Sequence, residues 1–595
     1  MTQPPPPPPH EPSQQGGFGP PTPPAPQPGY GYPQTPQTPQ TPQTPPPPGA
    51  PPTPPPPVPG YGHPQPAQPG YGYPGQTPGY GYQQPTVPMH APSGPPPGGG
   101  GGGRKINAQV AIIVSAVVAI ALIIGGGVWY ARSSDEPGGK DDTAGSTGGT
   151  TGTTGTTGST GGDAKGGTSA GGEEKVPADP ASKVLFQVPA PEVSKDDNSV
   201  VVSGSWATDT VYAKSGIAEI TGYDPGKGTE LWTVPLDGPV CTATRHVTDD
   251  NLTAVVYQPD MPTKADPSHG CSQVAVIDLG TGKKVWTKTA KTGDQLISFD
   301  NVTLSGGTVA AGSTSGGVAW DIASGKQLWA PKGTDSCYDA GYGGGPKLVA
   351  VRKCGTYEAR QLGIQTIDPG TGKVLSEYKM AKGIEYAGIV STDPLVVAAD
   401  VGDSAGDGSG ISDFFSVDNK TGELRTRISA PGEKFAARCD TISRIEQCTG
   451  LVVGNDRLYL PTEEHEGGGE SYSRTNEVVA FDLSTGKQTG QRADAGDGYT
   501  ITPLRMDGDS ILAYKRPPYD KGGQIVSIDS GSFEESKLLE NPATEAVRDV
   551  ETSMLPEYAE ILYRKGRLYM SQVYASEPSG TDDKEYLAVA FGTGG

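Results

Sequence analysis

Few side chains in this sequence have the type and spacing to do chemistry. The thiols are Cys241, Cys271, Cys337, Cys354, Cys439 and Cys448, all beyond residue 240. Such thiols serve as disulfide staples or stay reduced in a core; both readings are open at this point. His246, His269 and His465 are the histidines of the C-terminal part. None is spaced from another His or Cys as zinc ligands are. Asp400, Asp403, Asp407 and Asp413 form an acidic, glycine-rich loop. Its spacing departs from an EF-hand, so it reads as a solvated loop, with a calcium site as the alternative. Gly-Lys pairs recur, but Lys284, Gln327, Val374 and Gln488 follow them where a phosphate loop needs Ser or Thr. No motif marks a Ser-His-Asp triad. No residue is therefore assigned to catalysis, to a cofactor or to a metal.

The elements that carry these residues occupy only part of the chain. It has 595 residues, of which 88 are Gly and 62 Pro, and 33% are hydrophobic. So dilute an apolar content does not offset the ordering entropy of one compact globule. Ahead of Arg104 the only charged residue is Glu11. The net charge of −21 excludes nucleic acid as the expected partner, because phosphate binding needs a basic surface.

Four regions follow. Residues 1–105 are rich in Pro, Gly and Tyr, with Pro-Gly-Tyr-Gly units at Pro28, Pro59, Pro69 and Pro78. This is expected to be a disordered cytoplasmic tail, either a solvated spacer or a segment that holds partners. Residues 106–131 are expected to form one transmembrane helix. The stretch 108–131, AQVAIIVSAVVAIALIIGGGVWYA, carries no charge and meets the roughly 20 residues a span requires. Arg104 and Lys105 precede it, while Asp135 and Glu136 follow soon after, which favours a cytoplasmic N-terminus. Trp129 and Tyr130 stand where an outer aromatic belt belongs. Residues 132–180 are a Gly/Thr/Ser-rich flexible linker, spanning roughly 40 Å root-mean-square. Residues 181–595 alternate short β-branched and aromatic runs with turn residues, which predicts an all-β extracellular domain.

One segment recurs within that domain. It reads ITGYDPGKGTELW from Ile220, VAVIDLGTGKKVW from Val274 and GVAWDIASGKQLW from Gly317. Variants place its aspartate at Asp224, Asp278, Asp321, Asp368, Asp418, Asp482 and Asp529. Trp232, Trp286 and Trp329 each lie eight residues after their Asp, which fixes a hairpin. The expected roles are structural: Asp accepts turn amides, Gly supplies a positive φ, and Trp packs between neighbouring sheets.

These residues resemble the Ala-x-Asp-x-x-Thr-Gly-x-x-x-Trp repeat of PQQ-like β-propellers, the family of quinoprotein dehydrogenases and outer-membrane assembly propeller lipoproteins. The resemblance implies an eight-bladed propeller, with seven blades as the alternative. The end of the chain, LAVAFGTGG, matches the repeat with Gly592 in the Asp place. SKVLFQVP, at the start of the domain, looks like the missing outer strand, with Phe186 in the Trp place. Pairing the two ends would complete an eighth blade and hide sheet edges. The quinoprotein enzymes carry adjacent cysteines and a bound calcium. This sequence has no Cys-Cys, so no cofactor is expected. In composition, the tail and linker are similar to those of actinobacterial surface proteins.

In such a blade the segments before the third strand are long here: 258–270, 400–412, 463–475, 515–523 and 575–584. They emerge on one face, opposite the Thr-Gly turns, and binding residues concentrate on such loops. Neighbouring cysteines fall within single blades near that face, so Cys241–Cys271, Cys337–Cys354 and Cys439–Cys448 are the expected pairs. The functional expectation is a membrane-anchored, non-enzymatic binding, scaffold or sensor module. Its partner would be a protein, peptide or cell-envelope ligand at the long-loop face. A quinoprotein oxidoreductase, or another propeller enzyme using loop-face carboxylates, is the alternative.

Overall fold

The computed structural model describes residues 173–193, 199–356, 359–402, 405, 411–440, 444–468, 473–576 and 584–593. The expected tail, transmembrane helix and most of the linker lie outside the described residues. Among the described residues no helix is long and apolar enough to cross a membrane.

Eight four-stranded antiparallel sheets make the domain. In chain order, blades 1 to 7 span 205–235, 240–288, 301–329, 337–379, 388–429, 452–494 and 500–540. The eighth joins 559–593 to the first strand of the domain. Second and third strands, such as Leu252–Tyr257 and Gln273–Asp278, are almost wholly buried. They read as continuous apolar runs because each sheet is covered by a neighbour on both faces. Outer strands such as Lys283–Lys288 are largely exposed or half-buried. First strands of adjacent blades, such as Asn301–Ser305 and Cys337–Gly343, touch one another and line the axis.

The two ends close the ring. Ser182–Pro189 pairs antiparallel with Tyr586–Thr593, with Phe186 opposite Ala590. The eight-bladed expectation holds, and the seven-bladed alternative does not. A Cβ on Gly228 of blade 1 would stand 2.2 Å from the Phe186 ring. Trp232 lies in the same way against Gly282, Trp286 against Gly325 and Trp329 against Gly372. Each ring is a knob pressed onto the bare turn of the next blade; a Cβ would collide with it at Gly228 and Gly282 and stand tight against it, at 3.0–3.1 Å, at Gly325 and Gly372. Trp286 also donates its indole N–H to Ile322 O at 2.7 Å.

The turns are held by their aspartates. Asp278 Oδ1 accepts the amides of Gly280 and Thr281. Asp224, Asp418, Asp482 and Asp529 each accept two turn amides in the same manner, and Asp321 accepts that of Ser324. Asp368 Oδ1 accepts the Thr371 hydroxyl at 2.6 Å.

Two crossovers depart from the plain pattern. The link from blade 7 to blade 8 contains a helix, Glu545–Ser553, too short to show as a long period of 3.6. The link from blade 5 to blade 6 contains a two-stranded ribbon, Arg438–Cys439 with Cys448–Thr449. Three disulfides form with the expected partners. Cys241–Cys271 and Cys337–Cys354 lie within blades 2 and 4. Cys439–Cys448 corrects the expectation of a within-blade pair: it sits in the crossover ribbon, ahead of the first strand of blade 6. A crossover long enough to leave its blade can be closed on itself.

Candidate functional site

Antiparallel strands alternate in direction. The long second-to-third-strand loops and the crossovers therefore leave from one face, and the Asp-led turns from the other. On the turn face, Glu174 accepts the Lys565 amide at 3.0 Å and receives Arg505 at 3.2 Å. The described chain thus enters from the turn face.

The axial funnel opens on the loop face, and the blade 5–6 crossover descends into it. Inner-strand glycines of blade 4 make room, in the run AGYGGG over 340–345. A Cβ on Gly341 would stand 2.4 Å from Ile445 Cγ1. Ile445 is buried, and its carbonyl accepts the Ile389 amide at 2.6 Å. The next residue, Glu446, reaches three other blades. Its Oε1 lies 2.6 Å from His246 Nε2 and accepts the Gly344 amide at 2.9 Å. Its Oε2 accepts the Thr303 hydroxyl at 2.7 Å. A carboxylate can only accept, so His246 Nε2 carries the proton of that bond. Burial alone would raise the Glu446 carboxyl. The charge and hydrogen bond of His246, with Arg245 and the Gly344 amide, outweigh it and hold the group at about 2.

A second buried ion pair stands at the seam of blades 8 and 1. Lys214 Nζ donates to Glu560 Oε2 at 2.7 Å and to Val202 O at 2.7 Å. Glu560 Oε1 accepts the Gly204 amide at 2.8 Å. Burial pulls the Lys214 ammonium below its ordinary range, and Glu560 opposes that shift. At the mouth, Arg438 from the crossover meets Glu557 at 3.1 Å.

The crossover fills the side of the funnel bordered by blades 2 to 5. A cavity of about 280 Å³ remains beside it. Ser205, Thr244 and Arg245 form its polar wall, and Leu504, Tyr558 and Ile561 its apolar wall. A neighbouring cavity of about 540 Å³ runs under the blade 2 loop, past Met261, Pro262 and the Cys241–Cys271 bridge.

The structure places the repeat aspartates on the turn face, away from this site, and Trp232, Trp286 and Trp329 at the rim. Of the residues singled out from the sequence, His246 stands in the site beside Glu446, and Cys439 and Cys448 flank the funnel through their loop. Glu446, Thr303, Arg245, Lys214 and Glu560 were not singled out, because they meet only when blades far apart in sequence converge on the axis. The one local signal was a short cysteine-bounded loop carrying Arg444, Ile445 and Glu446.

Residues 183–339, less than half of the chain, match the family model described as outer membrane protein assembly factor BamB. Over those residues the chain is similar to that family, and the eight four-stranded sheets make the whole domain a β-propeller. Among solved structures, BamB from Moraxella catarrhalis is similar at 13% identity and a TM-score of 0.35, covering 69% of this chain and 97% of that one. Quinohemoprotein alcohol dehydrogenase from Comamonas testosteroni is similar at 11% identity and a TM-score of 0.37, covering 69% and 76%. A europium-containing methanol dehydrogenase shows 10% identity and a TM-score of 0.37, covering 69% and 93%. No curated relative matches the chain in sequence.

Among the described residues no group of three or more His, Cys, Asp or Glu is arranged to hold a metal ion. The disulfides join residues 9 to 30 apart, never adjacent ones. The deepest carboxylate, Glu446, already accepts three hydrogen bonds.

Proposed function

We propose that this chain is a non-enzymatic binding or scaffold propeller, tethered to a membrane by residues 106–131, with its loop face offered to a protein partner outside the cell. The engagement of the funnel carboxylates carries this reading. Glu446 accepts three hydrogen bonds, and Glu557 and Glu560 each hold a cation, so none stands ready as a base or a metal ligand. The matched family model is described as an assembly factor, and a protein partner agrees with that description. Three disulfides suit an oxidising compartment, and entry of the chain on the turn face suits a loop face directed outward.

Two measurements test it. A photo-crosslinking residue at Tyr558 is expected to trap a protein on intact cells, whereas one at Thr371 on the turn face is expected to trap none. Equal trapping at both sites, or trapping at Thr371 alone, removes the loop face as the binding surface. Labelling with a bulky, membrane-impermeant thiol reagent is expected to be faster at Ser268→Cys than at Thr371→Cys. The alternative, a quinoprotein oxidoreductase, predicts that the chain retains pyrroloquinoline quinone through dialysis in the presence of calcium. No retained absorbance is expected.

A further inference from the structure

We propose that the funnel cavity receives an acidic peptide segment of the partner protein. One carboxylate would lie on Arg245, and the adjacent apolar side chain on the wall of Leu504, Tyr558 and Ile561. The proposal rests on the loop-face reading and adds the chemistry of what binds there.

The charges of the cavity are unequal in what they have left to give. Glu446 is met by His246 at 2.6 Å, Glu560 by Lys214 at 2.7 Å and Glu557 by Arg438 at 3.1 Å. Arg245 is different. Its side chain is 46% exposed, and the nearest carboxylate oxygen, Glu446 Oε1, is 3.8 Å away. That oxygen already takes two shorter bonds, from His246 and Gly344. The guanidinium donates a long hydrogen bond, 3.5 Å, to Val390 O. A guanidinium carries five donors in a fork that fits a carboxylate with two parallel bonds. Arg444 also lines the cavity and donates to Gln447 Oε1 at 3.0 Å. On its other side it lowers the carboxyl of nearby Asp300, which burial raises. Of the two guanidiniums, Arg245 is the one held by the longer contacts.

The opposite wall is apolar, and the apolar surface continues outward. Leu504 and Ile561 are half-buried, Tyr558 is 58% exposed and Leu555 41% exposed. Aromatic side chains at the edge of a pocket are the usual anchors of a protein partner. At about 280 Å³ the cavity falls below the range of about 300–1,000 Å³ that encloses small ligands. It has room for an acidic side chain and its neighbour, with the rest of the peptide lying over the rim.

The test titrates fluorescein-labelled short peptides against the full chain. One peptide has a central Asp-Phe pair, a second Asn-Phe, a third Asp-Ser. The Asp-Phe peptide is expected to bind at least about tenfold more tightly than either of the others and to weaken between about 50 and 500 mM salt. Arg245→Gln is expected to cost the Asp-Phe peptide about tenfold or more and to leave the Asn-Phe peptide unchanged. Arg245→Lys should restore part of the loss, because it keeps the charge without the fork. An unchanged melting temperature of the variants shows that they are folded. Equal binding of the Asp and Asn peptides, or full binding by Arg245→Gln, overturns the proposal. Binding of free benzoate as tight as that of the Asp-Phe peptide also overturns it, in favour of a small anion. If no peptide binds while the Tyr558 crosslinker still traps a protein, the acidic segment is wrong and the loop-face reading survives. If both fail, both are wrong.

Discussion

Glu446 Oε1 lies 2.6 Å from His246 Nε2, although 200 positions separate the two residues in sequence. The contact ties the blade 5–6 crossover to blade 2, and through Gly344 and Thr303 to blades 4 and 3. Glu446→Gln keeps the shape and removes the charge. Breaking a buried pair from one side typically costs about 3–5 kcal/mol, and a loss of that order is expected by urea denaturation at pH 7. The folded carboxyl is held at about 2, below its ordinary 4.5. Its contribution is therefore complete above pH 4.5 and is lost as pH falls towards 2. The stability gap between the natural protein and Glu446→Gln should narrow over that window. A gap that stays constant from pH 6 to pH 3 would show that the charge is not what holds the loop.

Phe533 stands four residues after Asp529, the place where the other turns have Gly, and it keeps a positive φ of 63°. In blade 6 the Trp offset is occupied by Gly490, so its outer strand offers no ring at that position. Phe533 is buried in the cluster shared by blades 6 and 7, with its ring centroid 6.2 Å from that of Tyr459. The aromatic ring has moved from the outer strand of one blade to the turn of the next. Phe533→Ala loses the packing and keeps the backbone cost, while Phe533→Gly loses the same packing and relieves about 1 kcal/mol. Phe533→Gly is therefore expected to melt above Phe533→Ala, the reverse of the usual order. If Ala is the more stable of the two, the strain at this turn is not real.

Closure depends on Phe186 and Gly228. Gly228→Ala places a methyl 2.2 Å from the Phe186 ring at a φ of +66°, and both effects act against it. A loss above about 2 kcal/mol is expected. Deleting residues 182–189 removes the outer strand of blade 8 and bares an edge. The deletion variant should aggregate or melt without cooperativity. A melt like that of the intact chain would mean that the ring closes elsewhere.

The three disulfides close loops of different lengths, with sequence separations of 30, 17 and 9. In the chain-entropy account a longer loop gains more. Replacing Cys241 and Cys271 by Ser should cost about 3.5 kcal/mol, against about 2.5 for Cys439 and Cys448. Chemical denaturation of the paired variants gives the order. A larger loss at Cys439–Cys448 would mean that this bridge acts on the folded loop that carries Glu446, beyond its effect on the unfolded chain.

The sequence by itself determined the repeat, and with it the blades. Asp, Gly and Trp at fixed offsets act within one hairpin and its neighbour, so Asp278, Gly282 and Trp286 reveal their roles locally. The closing strand was legible for the same reason, because SKVLFQVP and LAVAFGTGG are the two halves of one repeat. The cysteine pairs followed from nearness along the chain, except that Cys439–Cys448 lies in a crossover, a place the repeat does not describe. Only the tertiary structure decided the funnel. Its walls come from one short strand in each blade, and residues such as Arg245, Thr303 and Glu446 carry no pattern of their own in the sequence. They become neighbours because ring closure brings eight separate first strands to a common axis, where a carboxylate without its distant partners could not remain buried and charged.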